Sequence, residues 1–175
     1  MNIPNLLTIL RILLVPVFVI YVIHNNFWMA LVIFILAGIT DGLDGLIARL
    51  LNQKTVIGAY LDPIADKMLL ISAYISLTIK DILPGWLTVV IVSRDIIIFS
   101  GIAVMSLMGK GPDIRPSVLS KITTVFQILT IIITLYSLKQ YPTLLHGFII
   151  TTAAFTIVSG LQYMYRGIKA MGDSK

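Results

Sequence analysis

Residues 27–51 read FWMALVIFILAGITDGLDGLIARLL, an apolar run with no charged side chain up to Thr40, then Asp41, Asp44 and Arg49. The first half has the composition of a membrane helix, for which about 20 mostly apolar residues span the hydrocarbon core. The second half puts ionisable groups where they are costly to hold, so they call for a function or a partner. Similar runs lie on either side. Residues 6–23 are interrupted by Arg11 near their start, and residues 58–79 carry Asp62, Asp66 and Lys67 in their first turns. Residues 86–108 contain Arg94 and Asp95, and the runs 117–138 and 143–165 complete the chain. Short polar breaks, among them His24-Asn25-Asn26 and Lys80-Asp81 before Pro84-Gly85, separate the runs. The pattern predicts an all-α integral membrane bundle of six transmembrane helices forming one domain over residues 1–175.

Composition agrees. Of 175 residues, 58% are hydrophobic and 12% charged, against about 45–50% and about 25% in soluble domains. A soluble core of this length could not hide so much apolar surface. Without cysteine there is no disulfide, thiolate nucleophile or Cys-based metal site, and two histidines exclude a His-rich one. The start of the chain lacks a side-chain cation before the first apolar run and a small-residue cleavage site after it, so that run is expected to be retained.

The net charge of +5 is a matter of topology. With a cytoplasmic N-terminus, the inner segments and adjoining helix ends hold Arg11, Arg49, Lys54, Lys67, Lys110, Arg115, Lys121, Arg166, Lys169 and Lys175. The outer loops hold Lys80 and Lys139, and Arg94 lies within a run. This positive-inside asymmetry places both termini in the cytoplasm and accounts for the basic excess without nucleic acid. Trp28 and Trp86 fall at the opposite helix ends, as interface anchors do.

All eight acidic residues are Asp, and four of them are Asp41, Asp44, Asp62 and Asp66. At about 100° per residue, Asp41, Asp44, Gly45, Ala48 and Arg49 share one helix face, and Gly58, Asp62 and Asp66 share another. A short loop makes the two helices antiparallel neighbours, so these faces can converge near the cytoplasmic boundary. Four carboxylates there repel one another, and one or two hard cations such as Mg²⁺ or Mn²⁺ relieve that. Gly42, Gly45, Ala48 and Gly58 leave bare backbone for a bulky group such as a diphosphate, with Arg49 as a bidentate clamp. The competing reading makes the glycines packing residues and pairs the acids with Arg49, Lys54 and Lys67. So many acids, bases and small residues on matched faces favour a site.

The segment Asp41-Gly42-Leu43-Asp44-Gly45-Leu46-Ile47-Ala48-Arg49, eight residues, then Gly58-Ala59-Tyr60-Leu61-Asp62-Pro63-Ile64-Ala65-Asp66 resembles the signature DxxDGxxARx8GxxxDxxxD of the CDP-alcohol phosphatidyltransferases. The opening Asn2 to Arg11 and the run Leu61 to Lys67 resemble the branch that makes phosphatidylglycerophosphate and cardiolipin. The resemblance implies a membrane enzyme of phospholipid biosynthesis, in a bacterial inner or plasma membrane, with its site on the cytoplasmic side. It implies that Asp41, Asp44, Asp62 and Asp66 hold two Mg²⁺ or Mn²⁺ ions and that Asp66 is also the general base. Asp41, Gly45, Ala48, Arg49 and Gly58 would bind CDP-diacylglycerol. The acceptor hydroxyl would attack the phosphatidyl phosphorus and release CMP, and a homodimer is implied as well.

For the acceptor, the resemblance points to Arg94, Arg115 and Lys121 as holders of the phosphate of glycerol 3-phosphate. A second arginine of that pattern falls at Ile102, and Val92 to Asp95 with Ser117 to Lys121 also resembles cardiolipin synthases, whose acceptor is phosphatidylglycerol. Glycerol 3-phosphate is the expected acceptor and phosphatidylglycerol the alternative. Arg94 could instead pair with Asp95 or with carbonyls inside the bundle, and Arg115 and Lys121 could face headgroups. Arg11, with Asn5 and Thr8 at three-residue spacing, faces either the nucleotide pocket or the headgroups, and the headgroups are the expected side. From another class, a metal or proton transporter could use the same Asp cluster. It would be expected to show internal repeats and a midplane site, which this sequence does not.

Overall fold

The computed structural model describes residues 3–50, 56–107, 117–137 and 142–172, with side chains for 6–42, 64–102, 117–136 and 143–169. Six helices follow one another: α1 (Ile3–Ile23), α2 (Phe27–Leu50), α3 (Val56–Ile79), α4 (Gly85–Leu107), α5 (Val118–Ser137) and α6 (Pro142–Gly172). Their limits follow the apolar runs, except that α6 continues past residue 165 to Gly172. That extension contains Arg166 and Lys169, and Lys169 in the last turn faces the negative end of the helix dipole.

Local chemistry ends and starts the helices. Asn25 closes α1 with φ 58°; its N–H bonds to Val22 O and that of Asn26 to Tyr21 O, at 3.0 and 2.9 Å. Asp81 closes α3 in the same way with φ 55°, its N–H bonding to Thr78 O while that of Ile82 bonds to Leu77 O. Both are left-handed C-terminal caps, a conformation Asn and Asp tolerate better than most residues. Asn26 caps the start of α2 by accepting from Met29 N–H, and Ser117 caps α5 by accepting from Ser120 N–H.

Among the described residues four stretches are long and apolar enough to cross a membrane: Leu6–Ile23, Gly85–Ile102, Val118–Tyr136 and Thr143–Lys169. Within the described residues, α2 contributes the shorter apolar stretch Phe27–Gly42. The protein is a membrane-embedded, all-α chain. Trp28 and Trp86 are exposed at helix starts, as anchors require.

The chain forms two compact units. The first holds residues 1–83 and 131–138. In it α1 packs on both α2 and α3. The buried face of α1 is Thr8, Arg11, Val15, Phe18 and Val22, a three-then-four spacing that keeps one stripe inward. Phe18 meets Phe34 of α2 with ring centroids 5.8 Å apart. Ala30, Phe34 and Ala37 line α2, while Leu70, Ala73, Tyr74 and Leu77 line α3.

The second unit holds residues 84–130 and 139–175, with α4 packed on α6. Its buried α5 face carries Thr123, Gln127 and Thr130, and that of α6 carries Thr152, Thr156 and Ser159. Thr130 and Thr152 hydroxyls lie 2.7 Å apart, Gln127 Nε2 donates to Thr156 Oγ1 at 3.3 Å, and Thr123 Oγ1 donates to Phe155 O at 3.2 Å. Phe126 stacks on Phe155 beside this polar seam, centroids 4.8 Å apart. Hydrogen bonds of this kind associate helices where lipid removes the hydrophobic incentive.

Candidate active site

Each stripe of the first unit ends in a polar residue. On α2 the spacing from Phe34 through Ala37 reaches Asp41, and on α3 the spacing back from Leu77 through Ala73 and Leu70 reaches Asp66. On α1 the spacing back from Phe18 through Val15 reaches Arg11. The three meet. Arg11 Nη1 lies 3.0 Å from Asp41 Oδ1 and 2.5 Å from Asp66 Oδ1. The Arg11 side chain is 0% exposed, while those of Asp41 and Asp66 are 45% and 40% exposed. Two carboxylates from different helices therefore converge on one guanidinium nitrogen and keep part of their surface open.

Arg11 therefore does not face headgroups. A fully buried guanidinium inside a membrane segment requires anionic partners, and α1 delivers it to two. The general tendency of ionisable residues to face the interior of a membrane bundle is the signal that would have found it.

Oxygen donors with accessible surface suit a hard divalent cation, so the described part of the signature fits a metal. Beside Asp41 the helix surface is open, since a Cβ added at Gly42 would meet no atom within 4 Å. Asp44, Gly45, Ala48 and Arg49 are helical positions of α2, and Gly58 and Asp62 of α3; their side chains lie outside the described residues, and Arg115 lies wholly outside them.

Arg94, in the second unit, is buried in a network of its own. Nη1 donates to Asp95 Oδ1 at 2.8 Å. Nη2 donates to Ser120 Oγ of α5 and to Ser159 Oγ of α6, the latter at 3.2 Å. Gly160 lies beside its stem, with Arg94 Cγ 3.5 Å from where a Cβ would stand, an ordinary contact distance. The pairing with Asp95 considered from sequence is present, and the two serines are additional partners that the sequence did not disclose. Lys121, next to Ser120, is exposed, and so is His146.

A membrane-embedded helical bundle bearing a partly open pair of carboxylates defines the class of this protein. Its sequence matches the CDP-alcohol phosphatidyltransferase family over residues 1–158, and the chain belongs to that family. It is 34% identical to the CDP-diacylglycerol–glycerol-3-phosphate 3-phosphatidyltransferase of Bacillus subtilis, over 99% of this chain and 98% of that one. It is 37% identical to the protein of the same name from Wigglesworthia glossinidia brevipalpis, over 94% of each chain. It is also 46% identical to the human cardiolipin synthase (CMP-forming), over 58% of this chain and 34% of that one.

Proposed function

We propose that the protein transfers the phosphatidyl group of CDP-diacylglycerol to a hydroxyl of glycerol 3-phosphate and releases CMP. The convergence of Asp41 and Asp66, the first and last carboxylates of the signature, on one point carries the chemical part of this reading. Similarity over essentially the whole length to two proteins named for that reaction supports the acceptor.

In this reading Asp41, Asp44, Asp62 and Asp66 hold Mg²⁺ or Mn²⁺, two ions in all, which when bound supply positive charge to the diphosphate. Gly45, Ala48 and Gly58 leave space for the nucleotide, and Arg49 clamps a phosphate. Asp66 takes the proton of the acceptor hydroxyl. The acceptor oxygen forms a bond to the phosphatidyl phosphorus as the bond to CMP breaks, and CMP leaves with the electron pair. Lys121, exposed at the start of α5, contacts the acceptor phosphate together with Arg115, while Arg94 steadies that helix start through Ser120. All six helices cross the bilayer, with both termini and the Asp cluster on the cytoplasmic side, and the protein works as a homodimer.

Phosphatidylglycerol is the second acceptor to consider, because identity to the human cardiolipin synthase rises to 46% over 102 residues. One assay tests both readings. Purified protein with Mg²⁺ and CDP-diacylglycerol receives glycerol 3-phosphate or phosphatidylglycerol in parallel, and CMP and lipid product are identified. Phosphatidylglycerophosphate is the expected product. Cardiolipin alone overturns the acceptor, and no CMP with either overturns the transferase reading.

A further inference from the structure

Arg11 stands outside the signature motif, yet both described carboxylates of that motif converge on it. A stripe that is otherwise Thr8, Val15, Phe18 and Val22 carries it inward, and it has no exposed surface. A cation so buried is tolerable only when paired, and here a single nitrogen serves Asp41 and Asp66 together. The two carboxylates for their part would repel each other if nothing positive stood between them.

We propose that Arg11 is a positioning residue that acts as the built-in counter-cation of the site, holding Asp41 and Asp66 in register before a divalent ion arrives and moderating how tightly they take it up. The inference rests on the metal-dependent reading above. Two opposed effects follow from removing the charge. The carboxylates lose an ordering partner, which weakens cation uptake slightly, because a short Asp side chain has little rotamer freedom to lose. They also lose a positive charge in direct contact, which strengthens uptake, and at this separation the Coulomb effect is the larger. Without Arg11 the pair should bind a divalent ion more tightly and depend on it for stability.

The test uses the full chain in detergent, stripped with chelator, and reads Mn²⁺ affinity by electron paramagnetic resonance and the thermal midpoint with and without Mn²⁺. Arg11→Met should bind Mn²⁺ about tenfold more tightly. Its metal-free midpoint should fall by several degrees, and Mn²⁺ should recover most of that loss. Adding Asp66→Asn to Arg11→Met should recover part of the metal-free loss, since one carboxylate no longer faces another. Arg11→Lys should stay near the wild type in both measurements. Where Arg11→Met does not fold, Arg11→Gln removes the charge but retains a donor and is read in the same way. Mn²⁺ bound equally by all, with a midpoint loss that Mn²⁺ leaves unchanged, overturns the role given to Arg11 and leaves the metal reading standing. No Mn²⁺ bound by the wild type or any variant overturns the metal reading, and the inference falls with it.

Discussion

Among the described residues two arginines are buried, one in each compact unit, and their surroundings differ. Arg11 is shared by two carboxylates of two other helices, each with close to half of its side chain open to the surroundings. Arg94 is held by the carboxylate of its own neighbour, itself 3% exposed, and by hydroxyls of two further helices. The first arrangement is anion-rich and open, so its carboxylates can exchange partners. The second is neutral as an ion pair and closed, which suits a fixed joint between α4, α5 and α6. A buried cation thus sits in an open carboxylate cluster in one unit and in a closed one in the other, and the exposure of the partners distinguishes them.

The comparison breaks first at the open cluster. Asp66→Asn should lower CMP release by about a thousandfold or more, the scale for losing a proton acceptor and ion ligand together, with the helical circular dichroism unchanged. An equal loss for Asp95→Asn with stability intact would erase the distinction between the clusters. The closed cluster should answer in stability instead. Arg94→Met leaves the Asp95 carboxylate buried without its cation and should cost about 3–5 kcal/mol, read as a fall in thermal midpoint. Arg94→Met combined with Asp95→Leu should recover most of it, because replacing both partners removes the stranded charge.

Smaller effects sharpen the picture. Thr130→Val or Thr152→Val removes the 2.7 Å contact of the polar seam and should cost about 0.6 kcal/mol, with about 1.7 as the upper end for such bonds. The double variant should show less than the sum of the two, measured by unfolding in detergent. Gly160→Ala places a methyl 3.5 Å from Arg94 Cγ, an ordinary contact, and should shift stability by no more than about 0.5 kcal/mol. A larger loss would mean that the Arg94 joint has no room to adjust.

Much of the fold could be read directly. Six apolar runs became six helices, since an apolar run in helical form satisfies its own backbone, and Asn25 and Asp81 punctuate them where a left-handed residue is needed. The convergence of Asp41 and Asp66 was legible because a fixed spacing within two neighbouring helices aims them at a common region. Arg11 was misplaced because the polar spacing Asn5, Thr8 and Arg11 lies near one end of α1. A polar stripe there gives no internal sign of which way it turns, since headgroups and bundle interior both accept a cation near a helix end. The seam of Thr123, Gln127 and Thr130 against Thr152 and Thr156 escaped notice for the opposite reason. Its residues are individually unremarkable, and only their shared spacing on two helices gives them away.

By itself the sequence determined the solvent, the helices, the acidic signature and hence the family, because hydropathy and motif spacing act within short stretches of chain. The tertiary structure decided which faces meet. It brought Arg11 to Asp66 across 55 residues of sequence and Arg94 to Ser159 across 65. Helical periodicity fixes directions around one axis, whereas the choice of partner depends on how several axes pack together, and that choice put one buried cation in an open carboxylate cluster and the other in a closed one.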